Sequence, residues 1–153
     1  MSAPESSPRK PLVVRPAQGR RYEMGRMRAI FLADGQETDA RYSISEWWLE
    51  PRTRGPGTHE HPDDHIYYVL AGTVSLFIDG EWTDATRGCC ALIPGGTPHN
   101  FENRGYEECG FLTINTPGGF EEMLPDIVKW FAEHPLEDVA GPERKENNLE
   151  GQA

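Results

Sequence analysis

Residues 88–103 read Gly88-Cys89-Cys90-Ala91-Leu92-Ile93-Pro94-Gly95-Gly96-Thr97-Pro98-His99-Asn100-Phe101-Glu102-Asn103. Glycines and prolines frame a single histidine, so the segment is a short strand followed by a turn that presents His99. Upstream lies His59-Glu60-His61-Pro62-Asp63-Asp64-His65, three imidazoles within seven residues. In an extended chain side chains alternate, so His59 and His61 share a face. Pro62-Asp63-Asp64 is a natural turn that lets His65 begin the next strand and return to that face. Converging imidazoles make a poor core, because every ring nitrogen needs a partner. They make a good ligand set for a borderline divalent metal. Taken alone, the triplet also fits a metal-free surface cluster or a pH-sensing patch; His99 in the second stretch favours the metal.

Around these motifs the chain reads as strands. Tyr42 to Leu49, Ile66 to Leu70, Thr73 to Ile78, Cys89 to Ile93 and Phe111 to Asn115 are short and rich in β-branched or aromatic residues. Turn signals separate them, the strongest being Asp79-Gly80, which suits the type I′ turn of a tight hairpin. Close-spaced strands without intervening helices predict an all-β sandwich or barrel. One helix is expected late: Phe120, Met123, Leu124, Ile127, Val128 and Phe131 form an apolar stripe that would pack on the outside of the barrel. Pro125 predicts a kink or two short helices there. The expected organisation is a flexible basic arm (1–18), a barrel (19–117), a C-terminal helix (118–135) and a disordered acidic tail (136–153).

The 153 residues fit one domain, with 26% charged and 37% hydrophobic side chains as in ordinary globular proteins. The net charge of −10 is uneven: +5 over residues 1–28, −9 over 29–117 and −6 over 118–153. Such a balance argues against nucleic acid and anionic membrane surfaces as partners, since both need clustered Lys and Arg. No apolar run suits a membrane span or signal peptide, so a cytoplasmic location is expected. Cys89, Cys90 and Cys109 are expected reduced and buried as small apolar groups. No phosphate-binding glycine motif or nucleophile elbow is present, so nucleotide binding and serine hydrolysis lack support.

The two histidine stretches resemble the two motifs of the cupin superfamily. The second motif of that family, G-x5-P-x-G-x2-H-x3-N, is matched by Gly88, Pro94, Gly96, His99 and Asn103. The first would run from Gly55 or Gly57 through His59, His61 and His65 to Gly72, about 15 residues upstream of the second. The resemblance covers roughly residues 40–117 and implies a double-stranded β-helix (jelly-roll) barrel with a C-terminal helical appendage. It further implies that His59, His61 and His99 are metal ligands. His65 stands where the family usually has glutamate and is expected to be the fourth ligand. Four neutral imidazoles would leave a divalent ion at +2, a stronger Lewis acid that favours an anionic enolate, catecholate or carboxylate.

Nitrogen ligands disfavour Ca and Mg. One divalent transition metal is expected, Fe(II) first, with Cu, Ni, Mn or Zn as alternatives. In the flavonol-cleaving cupins that this chain resembles, the metal-site glutamate accepts the substrate proton. His65 could take that role only off the metal, and Glu60 should face away by alternation. If His65 and His99 face inward, so do Tyr67, Val69 and Phe101, and one of Trp47 and Trp48 joins them, Trp47 being the candidate for the substrate cavity. No catalytic residue is assigned from sequence. The expected activity is a dioxygenase acting on a small enolisable or aromatic compound bound to the metal. The alternatives are a Lewis-acid cyclase or isomerase, for instance with zinc, and a non-catalytic metal or small-ligand binding module. The resemblance also implies a homodimer, for which the outward residues Ile66, Tyr68 and Leu70 offer apolar surface and the basic arm a second contact.

Overall fold

The computed structural model describes residues 9–140, and alternation of side chains dictates how its strands face. In β3 (Ser43–Leu49) Ser43, Ser45, Trp47 and Leu49 are buried while Ile44, Glu46 and Trp48 are not. The same period-2 pattern runs through β4 (Asp64–Ala71), where His65, Tyr67 and Val69 point inward. Among the described residues the remaining strands are β1 (Arg20–Met24), β2 (Met27–Ala33), β5 (Thr73–Ile78), β6 (Glu81–Thr86), β7 (Cys90–Ile93), β8 (His99–Glu102) and β9 (Cys109–Thr116). All pairings between them are antiparallel. One sheet has the order β1-β2-β3-β9-β4-β7 and the other β6-β5-β8. Their inner faces share one core, from Phe31, Leu49 and Phe111 on the large sheet to Val74, Leu76 and Phe101 on the small one. This is the all-β double-sheet barrel expected.

Asp79-Gly80 forms the predicted hairpin: both residues have positive φ, 49° and 91°, and Ile78 pairs directly with Glu81. Four strands carried no clear signal. β6 is largely exposed and polar, and β8, buried at all four positions, shows no alternation. β1 and β2 form a hairpin turning at Gly25-Arg26, within a stretch that reads by composition as basic. Asn103, the last residue of the second motif, is fully buried. Its Nδ2 donates to the carbonyls of Leu49, Glu50 and Glu107.

The C-terminal appendage departs from its expected place. A 3-10 turn (Phe120–Met123) leads into α2 (Leu124–Glu133), which carries Pro125 in its first turn. Instead of covering only the outside, this pair of short helices turns Phe120, Ile127 and Phe131 into the barrel cavity. A four-residue helix, α1 (Gly35–Thr38), precedes β3.

The ends also differ from expectation where they are described. Residues 136–140, expected at the start of a disordered tail, are strapped to the barrel: Leu136 is buried, Arg54 N donates to the Glu137 carbonyl and Val139 N to that of Arg52. Apolar Leu136 and these backbone bonds outweigh the polar composition. Residues 141–153 of that tail, and 1–8 of the arm, lie outside the described residues. The described part of the arm lies on its own barrel, where Arg9, Leu12 and Val14 share a groove with Leu32, Thr38, Tyr42 and Ile44. Cys109 is buried, but Cys89 and Cys90 are exposed, because they precede and begin the sheet-edge strand β7; all three are free thiols. No helix among the described residues is long and apolar enough to cross a membrane.

Candidate metal centre

Backbone pairing brings the two histidine motifs together. His59 and His99 form an isolated antiparallel bridge, each N–H donating to the other's carbonyl at 2.9 and 2.8 Å. Their rings lie 4.4 Å apart. His61 lies 5.0 Å from His59 and 5.6 Å from His99. The loop carrying His61 is held by the second motif: Gly96 N donates to the His61 carbonyl and Gly95 N to Asp64 Oδ1. A side chain on Gly95 would come within 2.2 Å of the Pro62 carbonyl, which is why glycine stands there. Gly55 is required for the same reason, its missing Cβ falling against the Phe101 carbonyl. His65, in β4, follows the Pro62-Asp63-Asp64 turn and returns to the same interior, 4.8 Å from His61 and 5.2 Å from His99.

The four rings are 6%, 7%, 4% and 2% exposed for His59, His61, His65 and His99. Burial first, then repulsion from His99 and His61, holds His59 well below the usual imidazole range. Burial likewise lowers His61 to about 4, with repulsion from His65 and His99 adding to it. His99 is lowered to about 4 by burial, against the opposing hydrogen bond to Thr97. These three rings are neutral at pH 7 and so able to act as ligands. Nδ1–H of His59 donates to the Gly57 carbonyl at 2.7 Å and that of His99 to the Thr97 carbonyl at 2.8 Å. Backbone acceptors on Nδ1 fix the tautomer that leaves the Nε2 lone pair free. Nε2 of His99 is buried without any hydrogen-bond partner, a cost that a bound cation would remove. The donor set therefore fits a divalent metal, with the ligand atoms of His59, His61 and His99 all within 4.8 Å of one another.

His65 belongs to a second group, with His61 and Asp63. Its Nε2 lies 3.1 Å from Asp63 Oδ2. Asn115 Nδ2 donates to the same Asp63 oxygen at 2.8 Å and lies 2.8 Å from His65 Nε2. A carboxylate thus stands next to the imidazoles: Asp63, read in sequence only as part of a turn, folds back beside His65. Burial alone would raise its pKa, but hydrogen bonds from His65 and Asn115 hold it at about 2, so it is an anion. Asn115 arrives because it stands opposite His65 in the β4–β9 register, a relation between residues 50 apart that no local pattern reveals. Glu60 is absent from both groups, as alternation predicts.

The cavity beside the histidines is lined by Trp47, Tyr67, Phe101, Phe111, Thr113 and Phe120. Val69 points the same way but lies one step further along β4, in the core rather than on the cavity wall. Trp48 faces outward, as expected of one member of the tryptophan pair. Cys89 and Cys90, on or beside β7, and His134, stacked on Trp130 at the end of α2 with Nδ1 on the Trp130 carbonyl, belong to neither group.

Residues 45–115 match the family model described as a cupin domain. Over 130 residues, 82% of this chain, it is 33% identical to quercetin 2,3-dioxygenase of Bacillus subtilis (strain 168), and it spans 37% of that protein's length. Among solved structures, it resembles an RmlC-like cupin from Shewanella frigidimarina NCIMB 400 with a TM-score of 0.63 at 15% identity, covering 74% of this chain and 96% of that one. It also resembles the polyketide cyclase RemF from Streptomyces resistomycificus, with a TM-score of 0.63 at 20% identity over 88% and 89% of the two chains. At these identities the structural likenesses establish the fold.

Proposed function

Because this chain belongs to the cupin superfamily, we propose that it is a metal-dependent dioxygenase acting on a small enolisable or aromatic compound. One divalent transition metal, Fe(II) before Cu, Ni, Mn or Zn, would be held by His59, His61 and His99. The observation that carries this reading is the convergence of three buried, neutral imidazoles, two of them with Nδ1 fixed by backbone carbonyls. The similarity to quercetin 2,3-dioxygenase supports the oxygenase half. When bound, iron or copper would supply redox chemistry and a Lewis acid that polarises substrate oxygens.

The chain's own groups do the rest. Asp63 and Asn115 both engage Nε2 of His65 and its Nδ1 is buried without a partner, so the ring is held beside the histidine cluster as the group that handles the substrate proton. His65 thereby fills the role that the family gives to glutamate, and we assign it there rather than as a fourth ligand. Trp47, Tyr67 and Phe101 form apolar walls that keep water from the substrate. We further propose a cytoplasmic homodimer, joined through the outer face of the six-stranded sheet, where Tyr68 is 45% and Leu92 70% exposed.

Metal analysis of the purified protein should find iron or copper, and oxygen should be consumed with at least one diketone, flavonol or catechol. Zinc at full occupancy with no oxygen uptake would overturn the reading and favour a Lewis-acid cyclase. His65→Glu should keep the metal and change the reactivity; unchanged turnover would remove His65 from the chemistry.

A further inference from the structure

The cavity beside the histidines has a volume of about 40 Å³. A benzene ring needs a cavity of about 150 Å³, so an aromatic compound does not fit with every side chain in place. One ring of the cavity wall stands against the histidines. Phe120 lies edge-on to His61 at 5.5 Å and to His65 at 6.0 Å, stacks on Phe31 at 6.2 Å and meets Trp47 at 6.3 Å. It is only half-buried, so its outer side has room to turn toward solvent.

The backbone under this ring is pinned. The buried Asp34 accepts from Gly119 N at 2.7 Å through Oδ1 and from Glu121 N at 3.0 Å through Oδ2. Both amides flanking Phe120 are thereby tied to one carboxylate. Glu121 is held in turn by Arg20, at 2.6 and 2.9 Å, and by the Tyr22 hydroxyl at 2.7 Å. Such a framework fixes where the ring stands and leaves rotation of the Phe120 side chain as the movement that enlarges the cavity.

We propose that Phe120 is the specificity-determining residue of the site: its ring occupies the position an aromatic substrate takes over His61 and His65, and it must turn aside for that substrate to bind. Asp34 is the positioning residue that places it. The proposal rests on the reading above only for where the substrate lies.

Phenol and 1-naphthol serve as probes, their binding followed by calorimetry on metal-free and on zinc-loaded protein. Phe120→Ala should bind both probes about tenfold or more tighter than the unmodified protein, since the ring no longer competes for apolar surface. Metal stoichiometry should stay the same. Phe120→Leu keeps the apolar contacts that hold the segment and should tighten binding in the same direction, which covers the case in which the alanine variant does not fold. Binding that is absent, or no tighter than that of the unmodified protein in whichever variants fold, overturns the proposal. These assays involve no turnover. A gain in binding without oxygen uptake would remove only the dioxygenase reading, and oxygen uptake without a gain would remove only the role of Phe120.

Discussion

At the residue scale the centre depends on which protons the histidines carry. His61 and His99 are lowered to about 4 and His59 well below its ordinary value, burial being the first cause in each. Unfolded, the same rings titrate near 6.5. Between those values the unfolded chain binds more protons than the folded one, so protons favour unfolding. Stability of the metal-free protein should therefore be complete above pH 6.5 and fall as the pH drops toward 4, by at most about 1.4 kcal/mol per pH unit for each histidine. Asp63 contributes with the same sign, but its stabilisation is lost only as the pH falls from about 4 toward its folded value of about 2. Urea denaturation at pH 7.5 and pH 5 measures the difference, and equal midpoints would mean that the rings are not buried as described.

At the element scale the centre is the product of two loops held against each other. Gly95 and Gly96 of the β7–β8 turn clasp the His61–Asp64 segment through two backbone donors, and Gly95 has no room for a Cβ against the Pro62 carbonyl. Gly95→Ala must push the segments apart while touching no ligand. It should weaken metal binding by about 10- to 100-fold, the range for outer supports of a metal site, with circular dichroism unchanged. Competition with a chromophoric chelator reads this directly, and an unaltered affinity would show that the clasp does not set the ligands. The sequence carried the second motif in full and both histidine stretches. It carried β6 and β8 hardly at all, because a polar edge strand and a strand buried on both faces lack the alternation by which strands are recognised.

At the scale of the whole molecule the proposed dimer rests on the outer face of the large sheet. Register aligns Ile44, Ile114, Ile66 and Leu92 in one row across four strands, with Tyr68 and Leu112 beside it in the next. An aliphatic row of this kind is unusual on a sheet face left to water. Light scattering should give twice the chain mass, and Leu92→Glu should halve it by placing a charge in the row. A Leu92→Glu variant that remains a dimer would move the contact to another face, and an unmodified protein of single mass would remove the dimer. The arm adds less than its +5 charge suggests. Residues 20–24 and 27–33 are strands of the barrel itself, and Arg9, Leu12 and Val14 share a groove with the barrel of their own chain.

The sequence by itself determined the barrel class, the hairpin at Asp79-Gly80, the pairing of His59 with His61 on one face and the inward turn of Tyr67 and Phe101. Each depends on a local period, a turn residue or a fixed spacing within one segment. The carboxylate of Asp63 beside His65, the amide of Asn115 joining them and the ring of Phe120 over the histidines were decided only by the tertiary structure. They come from a turn, a neighbouring strand and a C-terminal segment that meet only when the sheets close. Strand register and helix placement are set by packing over the whole barrel, and such contacts leave no mark on the residues near them in the chain.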